Sequence, residues 1–162
     1  MSKMRSHTKA FTLIEIITVV AVIGIVVAVL SPKIDTWIGK SKIRTAADEL
    51  HQYFAFMKGE AFGRGIAVKA EIDEDDNSIV IYSSDELTSS CDGGGDDVTW
   101  TDMNNNLDFG NIELISEVEN DRLCFFPDGS SNGGVLTLRS KHGEYEIGVL
   151  SATAFIEKTK IE

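Results

Sequence analysis

Glu15 is the residue best placed to do chemistry in this chain, because it is the only charged residue between residues 11 and 30. A helix of about 20 apolar residues is about 30 Å long, which matches the hydrocarbon core of a bilayer. A carboxylate at that depth costs at least about 2.5 kcal/mol. We therefore expect Glu15 to pair with a positive charge that a neighbouring chain supplies.

The ten residues before the apolar stretch carry three Lys or Arg side chains, which the positive-inside rule places on the cytoplasmic side. A secretory signal has its cleavage site after the apolar segment, whereas the small residue Ala10 comes before it here. A cut between Ala10 and Phe11 would remove the leader and keep the apolar helix. It would also create a new amine at Phe11, close in sequence to Glu15.

The basic leader, the string from Phe11 to Glu15 and the apolar stretch together resemble a type IV prepilin. That class includes major pilins, minor pilins and the pseudopilins of type II secretion. The resemblance implies that a prepilin peptidase/methyltransferase cleaves between Ala10 and Phe11 and N-methylates Phe11. It also implies that Glu15 is the assembly carboxylate, which pairs with the Phe11 amine of an adjacent subunit. The family usually has glycine where this chain has Ala10, and a plain signal anchor with an incidental Glu15 is the alternative.

Gly24 and Pro32 are two residues that weaken helices, one inside the apolar stretch and one just after it. The resemblance implies local unwinding there on filament assembly, and a simple boundary between two helices is the alternative. Beyond Pro32, apolar residues recur at spacings of three and four, which predicts an amphipathic helix that ends at Gly63 and Gly65. This stripe consists of Ile43, Ala47, Leu50, Phe54, Met57 and Ala61.

From residue 66 the pattern alternates as in strands, with turn residues between the runs. Strands are predicted at 66–72, 78–83, 112–118, 122–126, 135–139, 144–150 and 154–158. Residues 85–111 are predicted to form a long exposed loop with a short strand near 98–101.

These elements predict an α+β fold, in which a long N-terminal helix packs against a C-terminal antiparallel β-sheet or β-sandwich head. The helix has a membrane half and an amphipathic half. We expect a cleaved leader at 1–10, a transmembrane and assembly helix at 11–30, a helical stem at 31–65 and a periplasmic head at 66–162. With the resemblance to prepilins, the fold is expected to be pilin-like.

The expected head is strongly acidic, since residues 66–162 hold six Lys or Arg and 21 Asp or Glu, a net charge of −15. Such a charge keeps an exported domain soluble. It also argues against nucleic acid as a partner, because phosphate backbones bind to surfaces with clustered Lys and Arg. In the pilus branch of the family, DNA uptake is associated with a basic C-terminal tail that often contains a Gly-Arg pair. Residues 151–160 contain Lys158 and Lys160 but no arginine and no glycine.

Cys91 and Cys124 are the two cysteines of the chain, and both lie in the expected head. A disulfide in an oxidising compartment and a pair of unlinked thiols both remain open. Asp92, Asp96 and Asp97 surround three glycines but lack the spacing of a calcium loop. The three histidines are dispersed and no G-x-S-x-G or H-E-x-x-H motif is present, so we expect no metal, no cofactor and no enzymatic activity.

Segments 44–50, 58–61, 65–68, 126–129 and 133–138 resemble the stem-to-sheet junction and the later strands of the GspH/FimT group. This resemblance implies a minor pseudopilin at or near the tip of the type II secretion pseudopilus, which supports filament assembly and protein export. It implies an inner-membrane anchor, a periplasmic head, and contacts with other pilins through the N-terminal helix and with the inner-membrane assembly platform. The alternatives are a FimT-like minor pilin in pilus biogenesis, adhesion or DNA uptake, and a membrane-anchored enzyme.

Overall fold

The computed structural model describes residues 12–91 and 98–161, without the side chains of residues 29–32. The chain divides into two compact units, Met1–Ile38 and Gly39–Glu162. The described elements are one long α-helix, eight β-strands and one short 3-10 helix.

Helix α1 covers Leu13–Arg64, so the residues around Pro32 stay helical. Within α1, a bent break of at most four residues separates the segments Leu13–Ala28 and Lys33–Arg64. Pro32 lies between these segments, and a proline bends a helix because it cannot donate the backbone hydrogen bond. The backbone stays helical through Pro32, and the position where the sequence predicted a weakened helix coincides with this break between the two segments. Among the described residues, no single helical segment is both long and apolar enough to cross a membrane. The two segments of α1 taken together meet that test of length and composition.

The second part of α1 buries the apolar stripe that the sequence predicted, since its six residues are at most 1% exposed. Helix α1 ends at Arg64, as the two glycines indicated. Gly65 adopts a φ of 67°, and the Ile66 N–H donates to the Ala61 carbonyl at 3.2 Å. This is the glycine-capped end that a left-handed residue after the last helical turn allows.

Eight strands follow α1, and they form two antiparallel sheets. In chain order they are β1 Val68–Asp73, β2 Ser78–Ser84, β3 Trp100–Asp108, β4 Glu113–Glu117, β5 Arg122–Phe125, β6 Gly134–Ser140, β7 Gly143–Val149 and β8 Ile156–Ile161. The first sheet has the order β3-β2-β1-β5 and the second sheet has the order β4-β6-β7-β8. The 3-10 helix Glu119–Asp121 connects β4 to β5.

Strand β3 corrects the prediction of a long loop at 85–111, because nine of those residues form a strand that pairs with β2. The prediction failed because β3 is an outer strand with few apolar residues, of which Leu107 alone is buried. An irregularity in the register with β2 and a φ of 52° at Asn104 further disrupt its alternation.

The core of the head lies between α1 and both sheets. The rings of Phe54 on α1 and Phe125 on β5 are 6.1 Å apart and join the helix to the first sheet. Polar contacts join α1 to the second sheet. Lys58 Nζ donates to the carbonyls of Thr153 and Ala154 at 3.0 and 3.1 Å, in the turn between β7 and β8.

Asp48 on α1 forms an ion pair with Lys158 on β8, and this pair makes stability depend on pH. The hydrogen bond from Lys158 lowers the pKa of Asp48 below its ordinary value. A carboxyl with a lowered pKa in the folded state contributes stability above its unfolded pKa of about 4 and loses that contribution as pH falls through the folded value.

We expect Asp48→Asn to lower the midpoint of thermal unfolding at pH 7, and the difference from wild type to disappear as the pH is lowered below 4. Thermal unfolding at a series of pH values, followed by circular dichroism, measures this difference. Glu49→Gln is the matched control, since Glu49 is the exposed neighbour on the same helix. A difference that persists unchanged at pH 3 would contradict the stabilising role of the ion pair.

Candidate functional site

The start of α1 is organised by Thr12, the residue immediately before the helix. The Glu15 N–H donates to Thr12 Oγ1 at 3.3 Å and to the Thr12 carbonyl at 3.1 Å. Threonine followed three residues later by glutamate is the sequence pattern of a capping box, of which this structure shows the threonine half. Sequence reasoning overlooked Thr12, although this spacing was the signal that identifies it.

Glu15 therefore lies in the first turn of α1 and is exposed. The helix dipole favours a negative charge in this turn by about 0.3–1 kcal/mol. That is smaller than the cost of at least about 2.5 kcal/mol for placing a carboxylate in hydrocarbon. The helix alone does not compensate for Glu15 in an apolar environment, so a further cation is required there.

The first part of α1 exposes apolar side chains on all of its faces. The large apolar residues from Leu13 to Val27 are each about half exposed or more, and Leu13 reaches 79%. The Thr18 hydroxyl donates to the Ile14 carbonyl at 2.8 Å, so that polar group is satisfied within the helix. A helix that is apolar all round is buried in its working state, in a membrane or among other helices.

The predicted site residues are only partly described. Ala10 and Phe11, which carry the predicted cleavage and N-methylation, lie outside the described residues, as do Asp92, Asp96 and Asp97. Gly24 lies within α1, with nothing within 4 Å of the position a Cβ would take.

Cys91 and Cys124 are joined by a disulfide, with their Cα atoms 5.7 Å apart. Of the two alternatives that the sequence left open, the structure contains the linked one. Cys124 is fully buried on β5, where it packs with Ala67 and Phe126. The disulfide thus fastens the segment after β2 to the outer strand of the first sheet.

Lys69 is a buried lysine that sequence reasoning did not single out. Its Nζ lies 4.5 Å from the centre of the Trp100 ring, 5.2 Å from that of Tyr82, and 2.8 Å from Glu71 Oε1. Glu71 also pairs with Arg122 at 3.5 Å. The cation–π contacts join Lys69 on β1 to side chains of β2 and β3, and the ion pair joins it to Glu71 on its own strand.

A depression of about 340 Å³ is lined in part by Cys91 of the disulfide, and a second depression of about 290 Å³ adjoins it. They share Ser89 and Phe126; Arg122 and Asn132 line the first, and Leu87 lines the second. Among the described residues, no group of three His, Cys, Asp or Glu side chains is placed to hold a metal ion.

Comparisons with known proteins bear on both parts of the chain. Residues 5–31 match the family model of the prokaryotic N-terminal methylation motif. No curated protein sequence is similar enough to this chain to count as a match.

The chain resembles two kinds of solved structure. One is the minor pseudopilin EpsH from the type II secretion system of Vibrio cholerae, with 14% identity, a TM-score of 0.57, and coverage of 74% of this chain and 97% of that one. A second EpsH structure gives 16% identity, the same TM-score, and coverage of 76% and 97%. The type IV minor pilin FimU of Pseudomonas aeruginosa gives 16% identity, a TM-score of 0.51, and coverage of 72% and 91%.

At these identities the structural likeness establishes the fold, and the predicted α+β, pilin-like fold is confirmed. The match over residues 5–31 supports the prepilin-type N-terminus that the sequence indicated, and the structural likeness supports the pilin-like fold.

The disulfide generates a stability prediction, because it closes a loop over a sequence separation of 33 residues. In the loop-entropy model such a crosslink stabilises the folded state by about 3–4 kcal/mol. We expect the double variant Cys91→Ser/Cys124→Ser to lose about that amount in denaturant unfolding. Reductant should destabilise the wild type and leave the double variant unchanged. Equal unfolding midpoints for oxidised wild type and the double variant would refute the prediction.

Proposed function

We propose that this chain, which has a pilin-like fold and carries an N-terminal methylation motif, is a minor pseudopilin of a type II secretion system. It would be a structural subunit at or near the tip of the pseudopilus that supports filament assembly and protein export. The observation that carries the proposal is the difference in exposure between the two parts of α1. One part of the helix exposes apolar side chains all round, and the other part buries a single stripe in the head.

Processing is the first step of the proposed function. Cleavage between Ala10 and Phe11 removes the basic leader, and methylation of the Phe11 amine leaves a positive charge at the start of the mature chain. This amine of one subunit pairs with the Glu15 carboxylate of the next. Two observations support this pairing. Glu15 is exposed, and the stabilisation from the helix dipole is smaller than the free-energy cost of placing a carboxylate in hydrocarbon.

The proposed location is the inner membrane, with a single span and the head in the periplasm. The exposed apolar part of α1 suits the lipid before assembly and other pilin helices after it. The disulfide supports a compartment outside the cytoplasm, because disulfides persist in oxidising environments. The proposed partners are the prepilin peptidase/methyltransferase, the inner-membrane assembly platform and other pseudopilins.

A type IV pilus is the second candidate, since the fold is also that of the minor pilin FimU. The TM-score is higher for EpsH, 0.57 against 0.51, although the sequence identity is 14% against 16%; we choose the secretion branch on the greater similarity of fold. Nucleic acid is a poor ligand for a head of net charge −15, and Lys158 near the C-terminus is already paired with Asp48. The proposed subunit performs no catalysis in either system.

We expect Glu15→Ala to be cleaved normally and to be incorporated poorly into filaments, because the pairing with the Phe11 amine is lost. Mass spectrometry of the mature N-terminus measures cleavage and methylation, and quantification of the subunit in sheared filaments measures incorporation. Glu49→Ala, at an exposed carboxylate of α1 within the head, is the matched control. Normal incorporation of Glu15→Ala would refute the pairing, and an uncleaved Glu15→Ala chain would show that the residue acts in processing instead.

Deletion of the gene distinguishes the two systems. We expect lost secretion of exported proteins with intact surface pili, and complementation by the wild-type gene should restore secretion. Lost pili or lost DNA uptake with normal secretion would overturn the type II assignment and move the chain to the pilus branch.

A further inference from the structure

The outer strands of a sheet present backbone groups that can pair with a strand from another molecule. In this head β5 is an outer strand of the first sheet and β4 is an outer strand of the second. Because successive residues of a strand direct their backbone groups to opposite sides, every second N–H of β4 and β5 points away from its sheet.

Asn132 covers the outer edge of β5. Its Oδ1 accepts a hydrogen bond from the Cys124 N–H at 2.8 Å, and its Nδ2 donates to the Arg122 carbonyl at 2.7 Å. A carboxamide offers the same donor and acceptor as a peptide group. The side chain of Asn132 therefore occupies the place that a peptide group of a further strand would take.

The remaining outward N–H groups of β5 are also bonded within the molecule. The Arg122 N–H donates to the Glu119 carbonyl, and the Phe126 N–H donates to the Ser130 carbonyl at 2.9 Å. From residue 122 to residue 126, each N–H that points away from the first sheet has an acceptor in the same chain.

The outer edge of β4 is covered in the same way from the turn between β1 and β2. The Leu114 N–H donates to Asn77 Oδ1 at 2.8 Å, and the Ser116 N–H donates to Glu74 Oε1. Asn77 has a φ of 50°, a conformation that asparagine tolerates better than most residues. The turn thus places two polar side chains of the first sheet on the exposed edge of the second.

The groups that flank these two bonds are satisfied locally. The Ile112 N–H donates to the Phe109 carbonyl at 3.1 Å, and the Val118 N–H donates to Ser116 Oγ at 3.3 Å. Water could satisfy the Ser116 N–H, because its bond to Glu74 is exposed. The Ser116 N–H therefore does not need Glu74 as a hydrogen-bond acceptor. A side chain at this place does, however, keep the strand of another molecule from pairing with β4.

We propose that Asn132, Asn77 and Glu74 act as edge caps, which close β5 and β4 against strand pairing with a second copy of this chain. The proposal rests on the proposed function only for its purpose, which is to leave filament contacts to α1 when heads are crowded together. The bonds themselves, and their effect on self-association, do not depend on which machine the subunit serves.

The test uses the purified full-length chain in detergent, as wild type and as Asn132→Ala. We expect the hydrogen-exchange protection factor of the Cys124 amide to fall at least tenfold in the variant. We also expect the variant to self-associate as its concentration is raised. Intermolecular strand pairing should appear in the infrared amide I band. A variant that loses protection at Cys124 and stays monomeric at every concentration would overturn the proposal, because Asn132 would then stabilise only its own head.

Asn105→Ala is the matched control, since Asn105 is an exposed asparagine on β3. It should stay monomeric, and equal association of this control would also overturn the proposal. Asn132→Asp keeps the acceptor for Cys124 and loses the donor to Arg122, so it should stay protected at Cys124 and associate less than Asn132→Ala.

Glu74→Ala tests the second edge by an exposed change that leaves the core intact, and it carries the test if Asn132→Ala does not fold. It should increase self-association relative to Asp75→Ala, an equally exposed change in the same turn. All variants are also made with Glu15→Ala, so that the proposed pairing between Glu15 and the Phe11 amine does not contribute. Self-association that requires Glu15 would overturn the edge-cap proposal, whereas normal filament incorporation of Glu15→Ala would contradict only the proposed pairing.

Discussion

The buried stripe of α1 is the contact on which the rest of the head depends. Phe54, Leu50 and Met57 are fully buried at the centre of a core to which both sheets contribute. The sheets share no strand, and the stripe belongs to the same apolar core as residues of both sheets. Loss of the stripe would leave apolar residues of both sheets less covered.

The same helix presents the opposite situation in its first part, where the apolar side chains are exposed. A surface of this kind has to be covered by lipid or by other helices, and the exchange of one for the other costs little because both are apolar. In the proposed assembly, Glu15 would make this exchange selective. A carboxylate is tolerated poorly in lipid and is stabilised beside a cation, so the proposed pairing would favour ordered assembly over the membrane.

The sequence was sufficient for the features that depend on local pattern. The helical stripe from Ile43 to Ala61, the glycine end of α1 and most strands follow from periodicity and turn residues. Strand β3 could not be found in this way, because it is held by backbone pairing with β2 and exposes most of its side chains.

Contacts between distant segments were the other kind of feature that sequence reasoning could not supply. The state of Cys91 and Cys124 depends on whether the fold brings them together, and spacing alone leaves that open. Lys69 has an ordinary strand position in the sequence, and only the placement of Trp100 and Tyr82 explains its burial. The carboxamide of Asn132 could have been noted as a turn residue, but its bonds to β5 require the tertiary structure.

The hairpin of β7 and β8 is attached to α1 at two places, by Asp48 to Lys158 and by Lys58 to the turn at Thr153 and Ala154. These attachment points are ten residues apart on the helix, a distance of about 15 Å along its axis. A mechanical load applied along α1 therefore reaches the second sheet through an ion pair and two hydrogen bonds, which act in parallel with the apolar core. The contacts between α1 and the second sheet would therefore hold the head to the helix when a force acts on the helix.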